Sequence, residues 1–256
     1  MDRFKGLKIG IQGWTLRRFG QRELIDIVAS LGLKYLEPGY LGEGGVRPED
    51  PDSVDAIVGL CEQNGVEMTA YNAKIAAEPD AESLRPAFDV ARRLGVGTIT
   101  GGMNPICLPA LDSLAEEYDM KIGMHNHGPG GIFSDLAAIE AILRPYSNRI
   151  GLCVDTGHYL RLPLDPIEVI LAFKDRLHAV HLRDMDPDQD PIKGDGGNYV
   201  EHVVGEGPLD LRDLLNVLVG WEYSGTVALE YKPQPENPIP DLQKALGHIE
   251  ASLGEA

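Results

Sequence analysis

The segment IGLCVDTGHYLRLPLDPIEVILAFKDRLHAVHLRD, residues 150–184, decides the predicted fold. Its first six residues and the later run 178–182 are short and largely apolar, as buried strands are. Between them, Asp165 and Pro166 form a typical helix start, an N-cap followed by proline at the first helical position. Strand, helix and strand within about 30 residues predict a βαβ unit with parallel strands.

The same alternation continues through the whole chain of 256 residues. Between the apolar runs, Val54, Ile57, Val58 and Cys61 exemplify the spacing of a helix packed on a sheet. The predicted strands are 8–12, 35–37, 67–71, 97–100, 121–125, 150–155, 178–182 and 226–230. Eight βα units without a linker or a shift in composition predict a single (β/α)8 TIM barrel, one α/β domain over residues 1–256. An open doubly wound sheet is the alternative, and residues 184–207, rich in Asp, Gly and Pro, are predicted to form one long irregular loop.

Charge and composition restrict the partners. With 23 Lys and Arg against 40 Asp and Glu, the formal net charge is −17, which opposes binding to nucleic acid or to an anionic membrane surface. The N-terminus lacks the apolar core of a signal peptide, and no stretch approaches the roughly 18 apolar residues of a membrane-spanning helix. The three cysteines are widely spaced, as expected for buried thiols in a reducing compartment. We therefore expect a cytoplasmic protein.

Polar residues gather at the ends of four successive predicted strands. His125, Asp155, His181 and Glu230 stand at these ends, and in a TIM barrel the carboxyl ends of the strands carry the chemistry. Converging charges would be costly without a counter-charge, which a divalent cation provides. Carboxylates together with imidazoles suit Mn²⁺, Co²⁺, Zn²⁺ or Fe²⁺ better than Mg²⁺. The sequence therefore predicts one divalent metal ion.

At these residues the chain resembles the xylose-isomerase-like TIM-barrel superfamily, which contains sugar isomerases, epimerases and dehydratases and the endonuclease IV type. The motifs that carry the resemblance are IGIQGWTLR at 9–17, HNH at 125–127, DTGH at 155–158, HLRD at 181–184 and LEY at 229–231. In the ketose 3-epimerases of the superfamily, Glu, Asp, His and Glu hold the metal. The resemblance implies Asp155, His181 and Glu230 as three of these ligands. The place of the first Glu falls at His125, so His125 or its neighbour His127 is expected to complete the set.

The resemblance also suggests roles for the remaining polar residues. Glu230 is expected to be the catalytic base as well as a ligand, with His125, His127 or His158 as the second acid/base group. His127 and His158 could equally orient a ligand or contact sugar hydroxyls, and His178 is interpreted as structural. Residues expected to bind the substrate are Gln12, Trp14, Glu37, Tyr71, Asn126, Arg183 and Lys232. Two of them have an alternative: Glu37 could fix a turn, and Arg183 could pair with Asp184.

The expected activity is metal-assisted proton transfer next to a carbonyl, giving isomerisation or epimerisation of a sugar or sugar phosphate. Dehydration or β-elimination, as in inosose dehydratase or lyases of 3-keto sugars, is the alternative, and a non-catalytic sugar-binding barrel that has lost its metal is a third hypothesis. A DNA-repair enzyme of the endonuclease IV type is disfavoured, because no histidine precedes residue 125 and the chain is strongly acidic. The substrate, the native metal and the oligomeric state stay open, with a homo-oligomer as one option.

Overall fold

The predicted strands form a parallel sheet that closes almost completely on itself. The computed structural model describes residues 2–133, 135–162, 164–187 and 199–254. Within these ranges the strands are β1 (Lys8–Gln12), β2 (Tyr35–Glu37), β3 (Glu67–Met68), β4 (Tyr71–Asn72), β5 (Thr98–Gly101), β6 (Lys121–His125), β7 (Ile150–Asp155), β8 (Leu177–Leu182), β9 (Asp184–Met185), β10 (Glu201–His202) and β11 (Thr226–Leu229). The barrel sheet runs in the order β3-β2-β1-β11-β8-β7-β6-β5-β4, and its pairings are parallel. The predicted TIM barrel is confirmed; its extent as one domain over 1–256 stays a prediction.

The third predicted strand, 67–71, is split into β3 and β4. β3 pairs with β2, and β4 pairs with β5, so the chain crosses from one edge of the sheet to the other at residues 69–70. The two edges of the sheet meet beyond the end of β2. There a parallel bridge joins Gly39 to Asn72, and the Asn72 N–H donates to the Pro38 carbonyl at 2.9 Å. Eight strand positions therefore surround the axis.

Amphipathic helices surround the strands. They are α1 (Gln21–Ser30), α2 (Pro51–Asn64), α3 (Ala81–Arg93), α4 (Leu108–Tyr118), α5 (Leu136–Leu143), α6 (Thr156–Leu160), α7 (Pro166–Ala172), α8 (Leu211–Gly220) and α9 (Ile239–Gly254). Aspartate side chains cap several of them, and Asp165 accepts the Ile167 N–H at 2.8 Å ahead of Pro166, as predicted. Among the described residues, no helix is long and apolar enough to cross a membrane. The three cysteines are buried and form no disulfide.

The region from 184 to 207 differs from the predicted irregular loop. β9 and β10 pair antiparallel within it, while residues 188–198 lie outside the described residues. Asp184 accepts hydrogen bonds from the backbone N–H groups of Gly205, Gly207 and Leu209, at 2.9–3.0 Å. In place of the alternative Arg183–Asp184 pair, Asp184 satisfies the backbone of the returning chain.

Strand register brings the carboxyl ends to one level. In the pairing of β7 with β8, Asp155 lies opposite His181, and in the pairing of β8 with β11, His181 lies opposite Ala228. β6 ends at His125, which lies opposite Cys153 of β7. Three of the four predicted ligands are thus strand-end residues of neighbouring strands, and Glu230 follows β11 directly.

Candidate metal centre

The four predicted strand-end residues converge in the barrel mouth. His125, Asp155, His181 and Glu230 each offer one ligand atom, and these atoms all lie within 4.8 Å of one another. Asp155 and His181 are fully buried, Glu230 is 6% exposed and His125 is 9% exposed. The strand periodicity and the register therefore produce one cluster of two imidazoles and two carboxylates.

The separations between ligand atoms match those around a cation. The Nε2 atom of His125 lies 3.4 Å from Asp155 Oδ2 and 3.8 Å from Glu230 Oε2, while His181 Nδ1 lies 3.1 Å from Glu230 Oε2. Ligands about 2.0–2.2 Å from a central transition-metal ion in tetrahedral or five-coordinate geometry lie about 3–4 Å apart. The cluster has the dimensions of a small divalent metal site.

The imidazole of His181 supplies a direct test of the fit. Its Nε2 lies 2.9 Å from Glu37 Oε2, and its buried Nδ1 has no hydrogen-bond partner among the described residues. Because Glu37 accepts a hydrogen bond from Nε2–H, a neutral His181 carries no proton on Nδ1 and directs the lone pair of that atom toward the Glu230 carboxylate. A cation between these electron-rich atoms satisfies both of them, so the donor set fits a divalent metal.

Neighbouring charges set the protonation of the cluster. Burial raises the pKa of Glu230, but His125, His181 and Arg183 outweigh it and hold that pKa well below the usual range. Burial lowers the pKa of His181, but Cys153, Glu37 and Glu230 hold it well above the usual range. The carboxylates are therefore ionised, and protons compete with a cation for the imidazoles.

Arg183 lies against the cluster and away from the pocket wall. Its guanidinium is fully buried and binds Glu201 through two hydrogen bonds, Nε to Oε1 at 3.1 Å and NH2 to Oε2 at 2.8 Å. Its NH1 also lies 3.4 Å from Asp155 Oδ2 and 3.8 Å from Glu230 Oε1. Sequence reasoning offered a substrate anion or Asp184 as the partner of Arg183; in the structure its partners are Asp155, Glu201 and Glu230, whose charge it offsets.

His158 and His127 flank the cluster on its pocket side. The His158 N–H donates to Asp155 Oδ1 at 2.9 Å, and its ring Nε2 lies 3.2 Å from the Arg183 guanidinium. Burial lowers the pKa of His158 to about 3; Asp155 opposes this effect and Arg183 adds to it, and the ring is neutral at pH 7. His127 is exposed and lies outside the four-residue cluster, with its ring centroid 5.2 Å from that of His125. Of the two candidates for the fourth ligand, His125 belongs to the cluster of described residues and His127 does not.

A pocket of about 420 Å³ opens above the cluster. The predicted site residues that line it are Gln12, Trp14, His125, His127, His158, Glu230 and Lys232. Sequence reasoning missed Tyr40, Asn72, Lys74 and Tyr199, which also line it. Asn72 and Lys74 follow the third strand closely, so the strand-end rule applied to that strand could have found them.

Three further predicted substrate residues lie outside the lining. Tyr71 is fully buried and donates its hydroxyl to the Val46 carbonyl at 2.9 Å. Asn126 bonds the backbone of Asp155 twice, donating to its carbonyl at 3.0 Å and accepting its N–H at 2.7 Å. Glu37, also fully buried, bonds His181 and Thr100. These three side chains bond other protein groups and are not part of the pocket wall.

His178 belongs to the opposite end of the barrel. Its Nε2 lies 3.0 Å from the Asn148 carbonyl, and burial lowers its pKa to about 4, with Lys121 adding to the effect. It is absent from the metal cluster, in agreement with its interpretation as structural.

Comparison with known proteins identifies the family of the fold. A family model described as xylose isomerase-like TIM barrel matches residues 25–251. Inosose dehydratase of Klebsiella pneumoniae is 29% identical over 157 residues, which cover 56% of this chain and 52% of the dehydratase. The chain thus spans about half the length of the curated relatives it matches.

Two solved structures share the architecture. The 3-keto-D-glucoside 4-epimerase from E. coli superposes with a TM-score of 0.73 at 13% identity, covering 96% of this chain and 99% of the epimerase. An L-ribulose 3-epimerase superposes with a TM-score of 0.69 at 15% identity, covering 97% and 93%. At these identities the likeness concerns the fold alone.

Proposed function

The chain belongs to the xylose isomerase-like TIM-barrel family, and we propose that it is a divalent-metal-dependent isomerase or epimerase of a sugar or sugar phosphate. The observation that carries this proposal is the convergence of His125, Asp155, His181 and Glu230 at the base of a polar pocket. The pocket is also lined by Trp14 and Tyr40, and aromatic rings give sugars a stacking surface beside polar partners.

The ligand set indicates the kind of metal. Two imidazoles and two carboxylates favour Mn²⁺, Co²⁺, Zn²⁺ or Fe²⁺ over Mg²⁺, which prefers an all-oxygen shell. When bound, such a cation supplies Lewis-acid stabilisation of the negative charge that develops on a substrate oxygen as the adjacent C–H bond is broken.

The residues of this chain would divide the proton transfer between them. Glu230 reaches both the cluster and the pocket, and we assign it the role of base that removes the proton next to the carbonyl. Lys232 Nζ lies 3.7 Å from Glu230 Oε1 and keeps that oxygen in a cationic environment. His158 and His125, which also line the pocket, are the proposed second acid/base groups. Because the His158 ring is neutral at pH 7, it would pass on a proton taken from solvent, to the same carbon in epimerisation or to its neighbour in isomerisation.

Dehydration of a keto sugar or an inosose is the second candidate. It is favoured by the matched inosose dehydratase and by His125, an imidazole where the ketose 3-epimerases have a glutamate. The first proton removal is shared by both reactions. In dehydration a hydroxyl then leaves, and histidine is suited to protonate a leaving group near neutral pH.

Deuterium incorporation distinguishes these reactions. The metal-loaded protein is incubated with ketoses, their phosphates and keto-inositols in D₂O, and the products are followed by NMR and mass spectrometry. Deuterium at the carbon next to the carbonyl, in recovered or epimerised sugar, supports the isomerase or epimerase, whereas an unsaturated product supports the dehydratase. Glu230→Gln should abolish either signal. A protein that binds divalent metal and sugar but exchanges no deuterium would contradict the proposal and favour a non-catalytic binding barrel.

A further inference from the structure

We infer that Glu37 is a positioning residue for the metal centre, the middle of a hydrogen-bond chain that connects the pocket wall to His181. The inference rests on the metal centre of the proposed function. The chain consists of Asn72, Thr100, Glu37 and His181, which lie on four different strands, β4, β5, β2 and β8. Within the described part of the chain, His181 is the sole basic side chain within ion-pairing distance of Glu37.

The hydrogen atoms of this chain can be assigned one after another. Glu37 Oε1 accepts the hydroxyl of Thr100, and Glu37 Oε2 lies 2.9 Å from His181 Nε2. Because the Thr100 hydroxyl has spent its proton on Glu37, its oxygen is free to accept, and Asn72 Nδ2 donates to it at 3.2 Å. A carboxylate brings no proton of its own, so His181 must present Nε2–H to Glu37. The ligand atom of His181 is thereby fixed as Nδ1.

The burial of Glu37 argues for this role. Its side chain is fully buried, and a buried carboxylate without a lysine or arginine partner is destabilising for a fold. A glutamine or an apolar residue would fill the same space at lower cost. What the carboxylate adds is a fixed tautomer, a fixed ring orientation and greater basicity at Nδ1, the properties that strengthen a metal-ligating histidine.

The hydrogen-bond chain also begins in the substrate pocket. Asn72 lines the pocket, so its amide is held in place by the same hydrogen bonds that orient His181. A substrate that contacts Asn72 would therefore touch a network that ends at a metal ligand.

Glu37→Gln is the decisive substitution. Glutamine keeps the size of the side chain, and its carbonyl oxygen can still accept from His181 while its amide donates to Thr100. The charge is lost, and the hydrogen bond with the Thr100 hydroxyl reverses its direction. Dissociation constants for Zn²⁺ and Mn²⁺ are measured by competition with a chromophoric chelator. We expect affinity to fall about 10- to 100-fold, the usual effect of losing an outer-shell partner. Thr100→Val, which removes one hydrogen bond to the carboxylate, should give a smaller loss in the same direction.

Thr226→Val is the matched control for Thr100→Val. Thr226 is also a buried barrel threonine, but its hydroxyl accepts from Thr69 at 2.7 Å, on the N-terminal side of the barrel. This variant should keep the metal affinity of the wild type.

Two readouts separate positioning from a merely structural role. In the Zn²⁺-loaded wild type, the Nε2–H proton of His181 should exchange slowly with solvent and be visible by NMR, while in Glu37→Leu it should exchange rapidly. In addition, Glu37→Gln should lower the metal affinity of the folded protein, measured well below the unfolding temperature of the metal-free variant, whatever the change in that temperature. A structural residue would lower that temperature and leave the affinity of the folded protein unchanged.

The possible failures can be told apart. If the wild type binds Zn²⁺ and Mn²⁺ and Glu37→Gln binds them within about twofold of it, a difference of less than half a kcal/mol, the role of Glu37 is overturned and the metal centre stands. If the wild type itself binds no divalent ion, the proposed metal centre fails first, and the role of Glu37 fails with it.

Discussion

Replacing His125 with glutamate tests whether the four ligands really share one small volume. The substitution gives this chain the residue that ketose 3-epimerases have at that place. It puts a third carboxylate where His125 Nε2 now lies, 3.4 Å from an oxygen of Asp155 and 3.8 Å from one of Glu230. At an effective dielectric constant of about 20, each such pair repels by about 4–5 kcal/mol.

Protonation limits this penalty. The new carboxyl group escapes the repulsion by binding a proton, which at pH 7 costs about 3.7 kcal/mol for a glutamate of ordinary pKa. The metal-free variant should therefore be less stable than the wild type by up to about 4 kcal/mol. For a chain of this size that corresponds to a melting temperature lower by about 7–15 °C. A bound cation removes the repulsion, so saturating Mn²⁺ should raise the melting temperature of the variant more than that of the wild type.

The assay is thermal unfolding by circular dichroism, before and after removal of metal with a chelator. His127→Glu is the matched control, since His127 is exposed and lies outside the cluster. It should change the metal-free melting temperature little. If the two variants were equally stable without metal, or if metal stabilised His125→Glu no more than the wild type, the convergence of His125 with Asp155 and Glu230 would be refuted.

Two further predictions concern charges outside the proton-transfer groups. His178 has a pKa lowered from 6.5 to about 4, so between these pH values protons bind preferentially to the unfolded chain. The free energy of unfolding should therefore fall by about 2–3 kcal/mol as the pH drops from 7.5 to 4.5. His178→Gln should lack this part of the pH dependence when stability is measured by urea unfolding. An identical slope in both proteins would contradict the assignment. Arg183→Met leaves the buried Glu201 without its partner and should cost about 3–5 kcal/mol in the same assay, whereas Arg93→Met, which breaks an exposed pair with Asp55, should leave the transition almost unchanged. Equal effects of the two arginine substitutions would show that Arg183 is not holding buried carboxylates together.

The strand ends could be predicted because their signal is local. In β7 and β8 an apolar run ends abruptly in Asp155 or beside His181, and parallel topology brings all such ends to the same rim. The choice between His125 and His127 could not be made in this way. Residues two apart point to the same side only while the strand continues, and β6 ends at His125.

The roles of Glu37 and Arg183 depend on contacts that the sequence does not mark. Glu37 is followed by Pro38 and Gly39 and resembles a turn residue, while its partner His181 is 144 positions away and reaches it only when the barrel closes. Arg183 stands next to Asp184, yet it pairs with Glu201, which β10 brings alongside it. In both cases a buried charge finds its partner through tertiary structure, and neighbouring positions in the sequence suggested a simpler role.

The most direct test of the metal centre is anomalous X-ray diffraction from crystals of the protein grown with Mn²⁺ or Zn²⁺. The account predicts one anomalous peak in the barrel mouth, about 2.0–2.3 Å from His125 Nε2, His181 Nδ1 and one carboxylate oxygen each of Asp155 and Glu230. The same data would show Glu37 still bonded to His181 Nε2. No peak among these four residues, or a peak bound by His127 in place of His125, would contradict it.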